Sequence, residues 1–385
     1  MNMQIDAIAK TRAAISERLL ITGATGFLGG SVAAQLIAYG YVSQLCFLVR
    51  ASSPEQGLER VRTNLSLHGV GEVGRMSLNA DQVICGDLLD TSWLEPESPR
   101  LMTIDRVINC AAVASFSKNP NIWPVNVEGT FAFAKAMSRM PRLKRFVHVG
   151  TAMSCGPDRD SLVSESWRFP QADAQLVPYT ASKAEIERRM RQELPDLPLV
   201  VARPSIVVGH RTLGCQPSGS IFWMFRMGLA LESFTCDLEE KIDVIPVDYC
   251  ADALINLALK RHLRHDLYHI SAGRDAACTF SDIDQAFAAA CATQPVGERY
   301  QKVGVEDLPV LAADFESRIG PGNPRLIMRA LRLYSGFANL NYVFDNSRLL
   351  DEGITPPPRF TDYLEACVRT SRGVAITQQM QWDFK

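Results

Sequence analysis

Leu19-Leu-Ile-Thr22 runs without interruption into Gly23-Ala-Thr-Gly-Phe-Leu-Gly29, and a helical pattern follows. An apolar strand that breaks into glycines spaced three apart and then a helix leaves few folds open. Gly23 permits a tight turn, Gly26 lets backbone approach a pyrophosphate, and Gly29 lets helix and strand pack closely. Phosphates placed there meet backbone N–H groups at the positive end of the helix dipole. The pattern carries weight because it opens the first strand–turn–helix unit of the chain, the context the motif requires. Thr25, Phe27 and Leu28, inside the same turn, join Gly23, Gly26 and Gly29 as candidate dinucleotide-binding positions.

Short apolar runs then alternate with helical patterns, the rhythm of a parallel sheet. Strands are predicted at Leu19–Thr22, Leu45–Val49, Val83–Cys85, Val107–Asn109, Arg145–Val149 and Leu199–Ala202. Helices are predicted at Ser31–Tyr39, Asn126–Met140 and Thr180–Gln192. In the last of these, Lys183, Glu187 and Arg191 at i, i+4, i+8 read as alternating charges on a solvated face. A polar insert, Cys155–Val177, is punctuated by prolines. Beyond His210 come a Gly/Pro/Ser-rich loop, an apolar helix at Ile221–Leu231, and a return to the sheet through Asp243–Val247, Tyr249–Ala258 and Leu267–Ile270. The remainder is mostly helical. The fold class is therefore α/β, a Rossmann-type doubly wound parallel sheet with a smaller, mostly helical C-terminal substrate lobe. Residues 1–17 form an N-terminal extension, and 18–210 form the dinucleotide-binding domain, to which 241–273 return. Residues 211–240 and 274–385 make up the lobe.

The chain has 385 residues, 47% of them hydrophobic, which is enough apolar mass for a sizeable core. Its 40 Lys+Arg balance 42 Asp+Glu, so nucleic acid, which calls for a basic excess, is not an expected partner. The 10 cysteines are scattered with no C-x-x-C, the pattern of buried thiols in a reducing cytosol. No signal peptide is legible at MNMQIDAIAK and no apolar run reaches the ~20 residues a bilayer span needs. The expected location is cytoplasmic. The histidines show no metal-ligand spacing, and no metal is expected.

In dinucleotide folds that use NAD, an acid at the end of the second strand accepts the ribose 2′-OH, whereas an Arg accommodates a 2′-phosphate. Here that strand ends in Arg50, with no acid before Glu55, and Arg60 follows one helical stretch on. NADPH is the expected cofactor. After the third strand, Gly86-Asp87-Leu88 places Asp87 and Leu88 beside the adenine. The fourth ends in Asn109-Cys-Ala-Ala112, whose small Ala111 and Ala112 let the cofactor lie close.

Tyr179-Thr-Ala-Ser-Lys183 sets a phenol and an ammonium one helical turn apart on one face. A Lys⁺ beside the ring is expected to lower the phenol pKa from about 10 toward neutrality, making Tyr179 a proton donor to a carbonyl being reduced. Thr151, just after the fifth strand in Val149-Gly-Thr-Ala, is placed to hydrogen-bond the same oxygen. Y-x-x-x-K pairs are common by chance; the preceding glycine turn and Gly-Thr strand end give this one its meaning.

These motifs together resemble the extended short-chain dehydrogenase/reductases, roughly from Arg18 to Arg372. TGATGFLG (Thr22–Gly29), LVRA (Leu48–Ala51), GDL (Gly86–Leu88), NCAA (Asn109–Ala112), NVEGT (Asn126–Thr130), HVGTA (His148–Ala152), YTASK (Tyr179–Lys183), RPSIVVG (Arg203–Gly209) and PVDYCADA (Pro246–Ala253) carry the likeness. Within that group the chain is most similar to the branch shared by fatty acyl-CoA reductases and the thioester reductase domains of carboxylic acid reductases and peptide synthetases. The resemblance implies Thr151, Tyr179 and Lys183 as the catalytic set, with Arg50 and Arg60 on the 2′-phosphate. It places Pro204, Ser205 and Ile206 against the nicotinamide and gives Asn126 a bracing role. It implies NADPH-dependent reduction of a thioester-bound acyl group, on CoA or an acyl or peptidyl carrier protein, to the aldehyde or on to the alcohol. Two features depart from the pattern. Gly150 stands where a Ser is frequent, and no adenylation or carrier domain is recognised, so the acyl group is expected to arrive already activated. The rival readings are a reductase or dehydrogenase of a free ketone or alcohol and a non-catalytic NADPH-binding regulator.

In the C-terminal part, Ile221-Phe-Trp-Met-Phe-Arg-Met-Gly228 suits either an acyl channel or an ordinary core helix. Arg325, Arg329 and Arg332 fall on one helix face, either a solvated surface or a dock for an acidic carrier.

Overall fold

The structure, a computed structural model, describes residues 17–94, 98–116, 118–157, 160–170 and 174–383. The predicted extension, residues 1–17, lies outside the described residues except for Glu17. Seven parallel strands form the central sheet: β1 (Leu19–Thr22), β2 (Leu45–Val49), β3 (Val83–Cys85), β4 (Arg106–Asn109), β5 (Arg145–Val149), β6 (Leu199–Pro204) and β7 (Leu267–Ile270). Their spatial order is β7-β6-β5-β4-β1-β2-β3. The order reverses between β1 and β4, and ligands of such sheets bind outside the carboxyl ends of the strands at that crevice.

Period-two alternation assigns the strand side chains to two cores. Leu19, Ile21, Phe47, Val49, Ile108 and Val147 pack on one face, and Leu20, Cys46, Leu48, Val107 and Phe146 on the other. On the first face lie α1 (Phe27–Ala38) and α2 (Pro54–Leu67). On the second lie α3 (Thr130–Met137) and α4 (Pro178–Glu193). Both sheet faces are thus covered, which is why the strands read as continuous apolar runs. The chain enters α3 through a wider π-helical turn, Pro124–Gly129.

The lobe is built on α5 (Phe222–Leu231), which packs Trp223, Met227 and Leu231 against later helical residues. After it, α6 (Val247–Leu259) covers the first sheet face with Leu254 and Leu257, and α7 (Pro324–Ala338) adds Ile327, Ala330 and Leu331 to the lobe core.

Two expectations are corrected. Asp243–Val247 does not rejoin the central sheet; Val244–Ile245 pairs in parallel with Ile206–Val207 in a separate two-stranded sheet. Asp243 itself is buried and accepts from the backbone N–H groups of Ala272 (2.7 Å), Gly273 (3.2 Å) and Phe344 (3.0 Å). A carboxylate so occupied ends a strand and ties three distant segments together. The insert after β5 also contains structure, because Leu162–Val163 pairs with Val343–Phe344 from the far C-terminal part.

Among the described residues no helix is long and apolar enough to cross a membrane. Nor does any group of three His, Cys, Asp or Glu there stand ready to hold a metal.

Candidate active site

A cleft of about 620 Å³ opens at the carboxyl ends of β1, β2, β4, β5 and β6. Its floor is the glycine turn. Gly23 adopts φ +72°, and a Cβ there would lie 2.9 Å from the Ala111 nitrogen. A Cβ on Gly29 would stand 2.3 Å from the Gly23 carbonyl oxygen, so any side chain would push α1 away from β1. The Gly23 carbonyl accepts from Gly26 N–H at 2.9 Å, closing the turn. Below it, Thr22 donates to Asn109 Oδ1 (2.7 Å) and accepts from Ala111 N–H (2.9 Å), which fixes the end of β4 against β1.

Every catalytic and cofactor-binding residue the sequence nominates lines this one cleft. Gly23, Thr25, Gly26, Phe27, Leu28 and Gly29 form its floor, with Ala111 and Ala112 beside them. Arg50, Arg60, Asp87 and Leu88 lie toward β2 and β3; Pro204, Ser205 and Ile206 follow β6; Thr151, Tyr179 and Lys183 complete the wall. The Arg60 guanidinium donates to the Arg50 carbonyl, which draws the two arginines to one rim. One Asp87 carboxylate oxygen accepts from Leu89 N–H at 3.0 Å, closing the loop after β3. A backbone floor at a helix N-terminus with two guanidinium groups at its rim fits a dinucleotide phosphate.

Lys183 is buried on α4, and its ammonium donates to the Val149 carbonyl at 2.8 Å, anchored at the end of β5. It lies 6.0 Å from the centre of the Tyr179 ring. Thr151 adopts extended backbone and its hydroxyl accepts from Met153 N–H at 3.3 Å, leaving its own proton to donate. Asn126 is buried and grips the loop after β4 through the Val113 N–H (2.7 Å) and carbonyl (3.2 Å), and it reaches Ser182 of α4 at 3.1 Å. It braces the two walls of the cleft.

The electrostatics differ from the sequence expectation. Burial pushes the Tyr179 phenol up to about 12, and the Glu187 carboxylate adds to the rise. Burial also pulls Lys183 down to about 8, opposed by Glu187. Desolvation and the nearby carboxylate act in the same direction, so Tyr179 is held protonated, the form a proton donor needs.

The solvated face predicted for Lys183 and Glu187 is likewise absent: both are buried, and of that trio only Arg191 is exposed, over the Trp167 ring at 4.1 Å. Glu187 accepts from the Arg203 guanidinium at 2.6 and 2.9 Å. A Cβ on Gly150 would sit 2.0 Å from Glu187 Oε1. Gly150 therefore stands where a Ser is frequent because the ion pair fills that space.

Three aromatic residues in the cleft were not foreseen. Phe116 packs 5.8 Å from Tyr179, 5.5 Å from Tyr334 and 4.9 Å from Phe337, ring centre to ring centre. Phe116 was findable, since it follows a strand end at the crevice. Tyr334 and Phe337 come from α7, and no local pattern connects them to the site.

The NAD-binding family described as male sterility protein matches residues 21–254. The chain belongs to this family. The matched residues run from β1 into α6 and contain the whole glycine turn and the Tyr179–Lys183 pair. Among its relatives is fatty acyl-CoA reductase 2 of Mus musculus, 24% identical over 391 residues, covering 86% of this chain and 76% of that one. Aldehyde reductase lnbA of Aspergillus flavus is 24% identical over 273 residues, covering 66% of this chain but 26% of the relative. The chain thus spans about a quarter of the length of that protein. In fold it is similar to the terminal R domain from the myxalamid PKS-NRPS biosynthetic pathway, with a TM-score of 0.72 at 19% identity and 96% of each chain covered.

Proposed function

We propose that the chain is an NADPH-dependent reductase of thioester-bound acyl groups, releasing an aldehyde. The observation that carries this reading is the convergence of Thr151, Tyr179 and Lys183 on the wall of a cleft whose floor suits a dinucleotide. Relatives named as acyl-CoA and aldehyde reductases support it.

Gly23 to Gly29 would hold the pyrophosphate, Arg50 and Arg60 the 2′-phosphate, and Pro204 to Ile206 the nicotinamide end. Bound there, the cofactor supplies a hydride to the acyl carbon. Tyr179 gives its proton to the carbonyl oxygen as charge develops, and the Thr151 hydroxyl donates a hydrogen bond to the same oxygen. Lys183 keeps a positive charge beside the phenol. In the resulting hemithioacetal the C–S bond breaks, the hydroxyl proton returns to Tyr179, and the thiolate leaves, helped by a thiol pKa of about 8.5. Recording NADPH oxidation with acyl-CoAs, carrier-bound acyl groups and free ketones tests the assignment. Consumption with ketones alone would overturn it.

Preference for NADPH rests on Arg50, where an NAD fold carries an acid. Losing one charge-assisted contact costs about 1.5–3 kcal/mol, so Arg50→Ala should weaken NADPH roughly 10- to 100-fold and NADH far less. Fluorescence titration with both cofactors measures this, and equal losses would show that Arg50 does not read the phosphate.

A carrier protein, the finer choice of thioester donor, would meet the outer face of α7. Arg325, Arg329 and Arg332 are exposed there, while the inner face of the same helix supplies Tyr334 and Phe337 to the cleft. Reversing two of these charges should raise KM for a carrier-bound substrate and spare a short pantetheine thioester. The difference should fade in high salt, because exposed charges are screened within about 8–10 Å. Equal effects on both substrates would make the arginines a merely solvated face.

A further inference from the structure

A second cavity, about 80 Å³, adjoins the cleft in the C-terminal part. Ile206, Ile221, Tyr334 and Phe337 line both spaces, so the two adjoin across these shared side chains. Phe116 bridges them, touching Tyr179 on one side and Tyr334 and Phe337 on the other. A chain whose reacting carbon lies at Tyr179 therefore has an apolar space on the far side of these rings.

The inner walls come from Met224, Phe225 and Gly228 of α5, with Phe234, Phe280 and Ile283 opposite. No Asp, Glu, Lys, Arg or His is among the described residues lining this cavity. Its Tyr300 hydroxyl is already spent, donating to the Cys236 carbonyl at 2.9 Å. An ammonium, amide or carboxylate brought inside would lose its water with no charged partner to replace it. At Gly228 an added Cβ would meet only Phe234 Cβ at 4.0 Å. A buried glycine in a helix interior, with open space where its side chain would be, leaves room for a guest.

Resting on the thioester-reductase reading above, we infer that this cavity binds the tail of the substrate, and that the tail is an apolar acyl chain rather than a peptidyl or aminoacyl group. A single water needs roughly 10–15 Å³ of such volume, so the cavity takes a run of roughly five to eight groups of that size. With the carbonyl and its neighbour in the cleft, it fills at roughly seven to ten carbons. Until then each methylene removed from water is worth about 0.8 kcal/mol, or about fourfold in kcat/KM per carbon.

The test is a saturated acyl-CoA series from butanoyl to dodecanoyl, with an aminoacyl pantetheine thioester of matched length beside it. We expect kcat/KM to climb to roughly seven to ten carbons and then level, and the aminoacyl thioester to fall at least tenfold below its apolar match. Gly228→Leu fills the cavity while improving helix propensity. It should cut the octanoyl-to-butanoyl ratio of kcat/KM at least tenfold, with NADPH affinity reporting that the fold is kept. Met224→Ala widens the same wall and should move the optimum to longer chains. Reduction of every thioester at similar kcat/KM, or a chain-length profile indifferent to both substitutions, would overturn the tail site while leaving the thioester reading standing. If no thioester of any length is reduced, it is that underlying reading which fails.

Discussion

Tyr179→Phe should lower turnover by at least ~100-fold while leaving NADPH affinity nearly intact, the scale expected when a positioned proton donor is removed. The phenol contributes nothing to the glycine floor or the Arg50–Arg60 rim, so binding has no reason to fall with rate. The wild-type pH profile should show the partner's role. Lys183 is pulled down to about 8 by burial, whereas Tyr179 is pushed up to about 12. As pH rises, the first group in the pair to lose a proton is therefore the ammonium, and kcat/KM should decline through about pH 8 with Tyr179 still protonated. Stopped-flow single turnovers across pH 6–10 would measure this. A variant Tyr179→Phe with near-wild-type turnover would remove the residue from the mechanism.

Glu187→Ala should be the most damaging change outside the residues that face the substrate. Arg203 is buried and donates two of its hydrogen bonds to Glu187, with the Ser166 carbonyl at 3.1 Å as its other acceptor. Breaking a buried pair by deleting one partner leaves an uncompensated charge and costs about 3–5 kcal/mol. Urea unfolding would read that loss. The same change withdraws the carboxylate that raises the Lys183 pKa, so the alkaline limb of the rate profile should move to lower pH. Glu187→Gln, which keeps the shape and an acceptor, should recover part of the stability but not the position of that limb. A Glu187→Ala protein as stable as wild type, with its pH profile unmoved, would reduce the pair to packing.

The glycine turn and the Tyr179–Lys183 pair were legible because their information is local. Gly23 has to be glycine to take positive φ, Gly29 because α1 lies against the Gly23 carbonyl, and residues four apart on a helix share a face whatever surrounds them. The strands were legible for a related reason: a sheet covered on both faces leaves uninterrupted apolar runs, and those runs coincide with β1, β2, β3, β5 and β7 residue for residue. These signals determined the fold and the roll of residues around the cleft.

What the sequence could not determine was decided by partners more than ten residues away. Lys183, Glu187 and Arg191 look like a solvated stripe because charge alone predicts exposure; Arg203, on another element, makes burial of Glu187 tolerable. The Ser missing before Thr151 becomes intelligible only when Glu187 Oε1 is found occupying its place. Val343–Phe344 pairs with the insert after β5 across about half the chain, and α7 brings Tyr334 and Phe337 to Phe116 in the same way. Periodicity reports which face of an element is apolar, but not which distant surface it meets. The sequence by itself thus determined which residues come together around the cleft. Tertiary packing alone decided the proton affinities of the groups there and the shape of the space left for the rest of the substrate, because desolvation and steric exclusion depend on every neighbour in three dimensions.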